Sequence, residues 1–146
     1  MTEFTIDTSF WFCIQRGHCE SNTLIDYIYE NEESCIALDK AGAMYDEYES
    51  RGILNNTELA AIFLELDEMK RIDRSYNTHF KPTIDRLRKL PIGQRPNEID
   101  RVVVCVSSQT KSLIIASNDT HITQCPFVLN ELNLIEPWNC IGGFQI

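Results

Sequence analysis

Residues 101–116, RVVVCVSSQTKSLIIA, decide the fold. Arg101–Val106 has strong β propensity. With 107–112 as a turn and Leu113–Ala116 as the return strand, local rules read a β-hairpin. The rival reading makes the first half a short buried helix packed on a parallel sheet, leaving only LIIA as strand. β-branched residues cost a helix at most ~0.7 kcal/mol each, so tertiary burial can override them. The segment by itself stays open between helix and strand, and the rest of the chain has to be weighed.

Three other apolar runs read as short strands: EFTID (Glu3–Asp7), SCIALD (Ser34–Asp39) and LNLIEP (Leu132–Pro137). Between them lie helical patterns. Asn22–Glu32 places Leu24, Ile25, Ile28 and Tyr29 at helical spacing, with Asn22 as a cap. Lys40–Gly52 reads as a turn and a helix that Gly52 helps to stop. Asn56–Arg74 has one apolar face (Leu59, Ile62, Phe63, Leu66, Met69), an N-cap at Asn56 and basic residues at its C-terminal end. A less regular basic stretch spans His79–Leu90, and Pro91–Glu98 is loop, punctuated by two prolines and a glycine. Strands alternating with helices argue for an α/β protein with a parallel sheet. The expectation is one domain over residues 1–146, an α/β/α sandwich with a central, mostly parallel sheet of four to five strands.

The chain has 146 residues, 43% of them hydrophobic, enough for a core without disulfide staples. No apolar run approaches a membrane span, and MTEFTIDTSFWF lacks the basic start of a signal peptide, so a cytoplasmic protein is expected. Six cysteines occur without a CxxC pair, which favours reduced thiols acting as small hydrophobes. The net charge of −9 is uneven. Residues 1–69 carry 3 basic and 15 acidic side chains, whereas residues 70–101 carry 9 basic and 4 acidic. The overall sign argues against a protein that simply coats nucleic acid, yet it permits a basic stripe beside an acidic, cation-binding site.

In a parallel sheet all strands end on one edge, where ligand sites form. Three strand-like runs end there on Asp7, Asp39 and, in SNDTH (Ser117–His121), Asp119. Asp46 and Glu47 follow the second strand closely, and Glu98 and Asp100 precede the segment that leads to Asp119. Clustered carboxylates repel one another unless a cation neutralises them. Hard oxygen ligands suit Mg²⁺ or Mn²⁺, which activate water and stabilise in-line phosphoryl displacement.

These stretches in this order resemble the PIN-domain nucleases. The resemblance is carried by TIDTSF (Thr5–Phe10), IALDKAGAMYDEYES (Ile36–Ser50), EIDRVVVCVSSQTKSLIIASNDTHI (Glu98–Ile122) and the closing strand with its proline, LNLIEPW (Leu132–Trp138). It implies a PIN-like sandwich and Mg²⁺- or Mn²⁺-dependent hydrolysis of RNA, with no nucleophilic side chain. It also implies an acidic site of Asp7, Glu47, Asp100 and Asp119 that holds the metal. Ser9 or Thr8 would orient the Asp7 carboxylate or a metal-bound water. Asp46 competes with Glu47, and Glu98 with Asp100. Stand-alone domains of this size in that family include toxins of toxin–antitoxin pairs and effectors of defence modules. A cognate antitoxin or other protein inhibitor and a homodimer are therefore the partners implied, beside the RNA.

Lys70, Arg71, Arg74 and Arg101, with the other basic residues of 70–101, are candidates for the path of the substrate backbone, where phosphate contacts give affinity without sequence choice. His121, two residues after Asp119, could touch a phosphate or a metal-bound water, although isolated histidines are more often structural. The competing reading is an inactive PIN-like scaffold that acts through a protein partner. Retention of all four acidic positions weighs against it.

Overall fold

The side chain of Asn97 accepts a hydrogen bond from the amide of Asp100 (3.0 Å), capping a helix that runs Glu98–Gln109. The run RVVVCV is therefore helical. Val102–Val106 are all buried, so burial against the sheet outweighs the weak helix propensity of β-branched residues. The computed structural model describes residues 1–17 and 19–139 of the chain. His18 and the end of the apolar tail, 140–146, lie outside the described residues.

In chain order the elements are β1 (Thr2–Ile6), α1 (Thr8–Gln15), α2 (Cys19–Glu30), β2 (Ser34–Asp39), α3 (Ala43–Ser50), α4 (Thr57–Glu68), β3 (Ile72–Tyr76), α5 (Lys81–Arg88), α6 (Glu98–Gln109), β4 (Ile114–Ala116), α7 (Thr120–Thr123), α8 (Pro126–Glu131) and β5 (Asn133–Ile135). The five strands form one sheet in the order β3-β2-β1-β4-β5, with all four pairings parallel. Helices flank the sheet, giving the expected α/β/α sandwich.

The packing sorts the helices into two layers. Trp11 of α1, Tyr48 of α3 and Phe63 of α4 meet edge to face, with ring centroids 5.9–6.3 Å apart. These helices belong to the crossovers that run from β1 out to β3. Helices α5, α6, α7 and α8 touch in sequence and carry the return from β3 to β5. Right-handed crossovers in opposite directions place their helices on opposite faces. The central strands are therefore covered on both sides, and β2 is buried along its whole length.

Two local expectations change. Asn22 lies inside α2 and does not cap it. The long helix expected over Asn56–Arg74 ends at Glu68. Lys70 then takes a left-handed backbone (φ 59°), and Ile72–Tyr76 pairs with β2 as an edge strand. Asn56 does cap this helix, accepting from the amide of Leu59.

Lys70, Arg71 and Arg74 consequently leave the functional edge. Helix α4 runs against the strands, so its C-terminus lies at their amino ends. Arg71 is buried there, and its Nη1 donates to the carbonyls of Ile28 (2.5 Å) and Asn31 (2.8 Å), tying the end of α2 to the start of β3. Arg74 pairs with Asp67 at 2.8 Å, and Lys70 is exposed at the turn. The expectation that these three line the substrate path is corrected: Arg71 is a structural brace. Arg71→Met is expected to lower stability by ~1–3 kcal/mol in urea unfolding, since charge-assisted hydrogen bonds to buried carbonyls are lost. RNA affinity of the folded variant should be unchanged, whereas loss of a substrate-path arginine would weaken RNA binding and leave stability intact.

Cys13, Cys35, Cys105 and Cys125 are free and buried, in keeping with reduced thiols used as core residues. Among the described residues no helix is long and apolar enough to cross a membrane.

Candidate metal centre

The strand order reverses at β1. The chain leaves β1 toward β2 and β3, then returns to place β4 on its other side. This is a topological switch point, where the two strands' onward connections diverge and open a crevice at their carboxyl ends. Ile6 pairs with Ala116 in register, so Asp7 and Ser117, the next residues, emerge side by side.

Asp7 is 4% exposed and begins α1 from the N-cap position. Its amide donates to the carbonyl of Ala116 (2.8 Å), which continues the β1–β4 pairing. Its Oδ2 accepts from Ser9 Oγ (2.6 Å) and Ser117 Oγ (3.0 Å). Each hydroxyl in turn accepts from the β4 exit: the amide of Asn118 donates to Ser9 Oγ (2.9 Å), and that of Asp119 to Ser117 Oγ (3.0 Å). Two serines thus staple the ends of adjacent strands and set the rotamer of Asp7. Ser9 has the orienting role expected of it. Ser117 was not singled out from the sequence, because its partner is 110 residues away and only the parallel register brings them together.

Asp119 caps α7. Its Oδ1 accepts from the amide of His121 (2.8 Å) and lies 3.0 Å from His121 Nδ1. Asp100, in the first turn of α6, is 3% exposed, and its Oδ2 is buried without a hydrogen-bond partner. Asp100, Asp119 and His121 each offer a ligand atom, and these atoms all lie within 4.8 Å of one another.

The electrostatics extend the cluster. Burial pushes the Asp100 carboxyl up to about 7; the charges of Asp7, Asp119 and Glu47 push in the same direction, and His121 opposes them. Asp7 is also raised, first by burial and further by Asp119, with the Ser9 and Ser117 hydrogen bonds offsetting part of the rise. A buried carboxylate among like charges is held in its neutral form until a cation supplies the missing partner.

Glu47 approaches from α3. The residue after it, Tyr48, is buried and donates a hydrogen bond from its hydroxyl to the carbonyl of Ile6, which fixes α3 against the end of β1. Glu47 itself is 27% exposed, with Arg51 Nε 3.9 Å away. The competing carboxylates sit elsewhere: Asp46 is exposed, and Glu98 lines a separate pocket with His79 and Ile99. Asp39 does reach the functional edge, but its two oxygens are occupied by the amides of Ala43 and Met44 and the hydroxyl of Thr78. It anchors α3 through these three hydrogen bonds. Arg101 follows Asp100 on α6, and its Nε is buried without a partner.

The structure therefore gathers ligand atoms of Asp100, Asp119 and His121 within 4.8 Å of one another, and the charges of Asp7 and Glu47 reach the Asp100 carboxyl. Carboxylate oxygens with an imidazole form a donor set for a hard to borderline divalent cation, and the orphaned Asp100 Oδ2 is the atom such an ion would satisfy. Imidazole suits Mn²⁺ better than Mg²⁺. Comparison with family models, with curated proteins and with solved structures finds no match to this chain.

Proposed function

We propose that this chain is a PIN-like, divalent-metal-dependent ribonuclease. The observation that carries the reading is the unpartnered, buried Asp100 Oδ2 within 4.8 Å of ligand atoms of Asp119 and His121, in the crevice of a parallel sheet. Such an arrangement costs stability and is explained by a cation. The order of the sequence motifs, which resembles the PIN-domain nucleases, supplies the substrate class.

In this reading Asp100 and Asp119 hold the ion, with His121, and Asp7 and Glu47 complete the negative cage. When bound, a divalent cation supplies a water of lowered pKa and neutralises charge on the scissile phosphate. The chain's own residues do the positioning. Ser9 and Ser117 fix the Asp7 carboxylate by donating to its Oδ2, which sets the direction of the remaining oxygen. The Asp119–His121 contact holds the imidazole at the rim of the site. Glu47, partly exposed, adds its charge to the cage from α3.

The test is incubation with mixed single-stranded and structured RNA plus Mn²⁺, with and without chelator. Cleavage that depends on Mn²⁺ and stops on chelation is expected. Cleavage that survives chelation contradicts the mechanism, and Mn²⁺ binding without cleavage of any RNA favours the scaffold reading.

A further inference from the structure

Beside the acidic crevice lies a second feature of different chemistry. A cleft of about 310 Å³ opens between the 3-10 turn at Ile92–Gln94 and α7, lined by Gly93, Gln94, Arg95, Thr120, His121 and Gln124. Its volume falls at the lower end of the range for small-molecule sites. No carboxylate lines it. His121 belongs to both the cleft and the metal-ligand cluster, so the two share a wall.

The lining offers amide, hydroxyl, imidazole and guanidinium groups, a set that can hydrogen-bond a planar polar group. Gln94 and Gln124 each present an amide with both donors and an acceptor, and Thr120 adds a hydroxyl. Arg95 is fixed: its Nε donates to the carbonyl of Leu90 (2.8 Å) and its Nη2 to that of Arg88 (2.6 Å). These bonds hold the loop that carries Gln94, and Arg95 Nη1 has no partner among the described residues. A phosphate cannot settle on the uncompensated carboxylates next door. With a cation in the crevice the phosphate sits there, and the adjoining group turns into the cleft.

We propose that this cleft is a base-binding subsite, taking the nucleobase of the nucleotide next to the scissile phosphate of a single-stranded RNA. This rests on the nuclease reading for its account of the phosphate. The cleft has room for about one nucleotide unit, and a base exposes its hydrogen-bonding edge to side chains only when it is unpaired and unstacked. Two amides facing one base give sequence choice. The enzyme therefore cuts next to a preferred base and does not cut duplex RNA.

The test has two arms. In the first, the isotopically labelled protein is titrated by NMR with the four ribonucleoside 5′-monophosphates in Mg²⁺. One nucleotide is expected to bind best and to shift the amides of Gly93, Gln94, Thr120 and Gln124. In the Gln94→Ala/Gln124→Ala double variant its affinity should fall about tenfold, the loss of roughly one to two net hydrogen bonds. Gly93→Trp provides a second obstruction, since a Cβ built at Gly93 meets nothing within 4 Å and the backbone accepts a side chain there. In the second arm, the base beside each cut is read from Mn²⁺-dependent digests of an RNA of mixed sequence. The double variant should lose the wild-type preference while binding Mn²⁺ with unchanged affinity. Absence of shifts in the cleft at millimolar nucleotide, or an unchanged preference in both variants, overturns the proposal. If the wild type cuts no RNA, the nuclease reading fails, and the first arm still decides the cleft.

Discussion

Asp100→Asn, heated without metal at pH 8, is expected to melt above the wild type. The direction follows from the raised carboxyl. In the unfolded chain Asp100 ionises near its ordinary value of 3.8, whereas in the folded chain it resists ionisation until about 7. Between those two values the unfolded state alone gains the charge, so the wild type loses stability as pH rises, by roughly 4 kcal/mol for a shift of this size. The loss is complete above pH 7 and absent below pH 4. An amide in place of the carboxyl keeps the shape and removes the titration. After allowing for the cost of burying the amide itself, the variant should be more stable by about 2–4 kcal/mol at pH 8, or some 5–10 °C in a domain of this size. The advantage should shrink as pH falls and vanish at pH 4. Mn²⁺ should reverse the order, because only the wild type offers the ion a carboxylate at that position. Binding should release about half a proton per ion from Asp100 near pH 7, rising toward one near pH 6, measurable by calorimetry in two buffers of different ionisation enthalpy. A variant that melts below the wild type at pH 8 would contradict the assignment of Asp100 as a strained ligand.

The second large effect is on chemistry. Asp7→Asn and Asp119→Asn are each expected to lower Mn²⁺-dependent RNA cleavage on the order of 10³-fold, a loss of several kcal/mol of transition-state stabilisation. Single-turnover cleavage with radiolabelled RNA measures this directly. The two variants should differ in mode. Asp119 contributes to the ligand cluster, so its loss should weaken Mn²⁺ binding as well. Asp7 has one oxygen committed to Ser9 and Ser117, so its loss should act more on the rate than on the affinity. Retention of a tenth or more of the activity in either variant would remove that residue from the mechanism.

Much of this site was legible in the sequence because the signal is local. A buried strand that ends on a carboxylate is unusual, and SCIALD, EFTID and the LIIA-SNDTH run all do so. Parallel pairing then does the gathering. The choice between helix and strand for RVVVCV was not legible, because the valines favour a strand locally and only their burial against the sheet, with the Asn97 cap, makes the segment helical. β3 was missed for a physical reason. It is an edge strand of mixed exposure whose residues, IDRSY, carry two charges and no alternation, and it follows a helix across a single left-handed residue, Lys70. That omission is what misplaced Lys70, Arg71 and Arg74. The pairing of Ser117 with Asp7 and the cleft beside His121 depend on contacts between segments far apart in the chain, which no local pattern reveals.

The most direct measurement is anomalous diffraction from crystals soaked in Mn²⁺. The expected result is a peak in the crevice between β1 and β4, within coordination distance of oxygens of Asp100 and Asp119, with the Asp7 carboxylate facing it. Crystals that take up Mn²⁺ at other surfaces, with no peak among Asp7, Asp100 and Asp119, would contradict the claim that these acidic groups share a divalent ion.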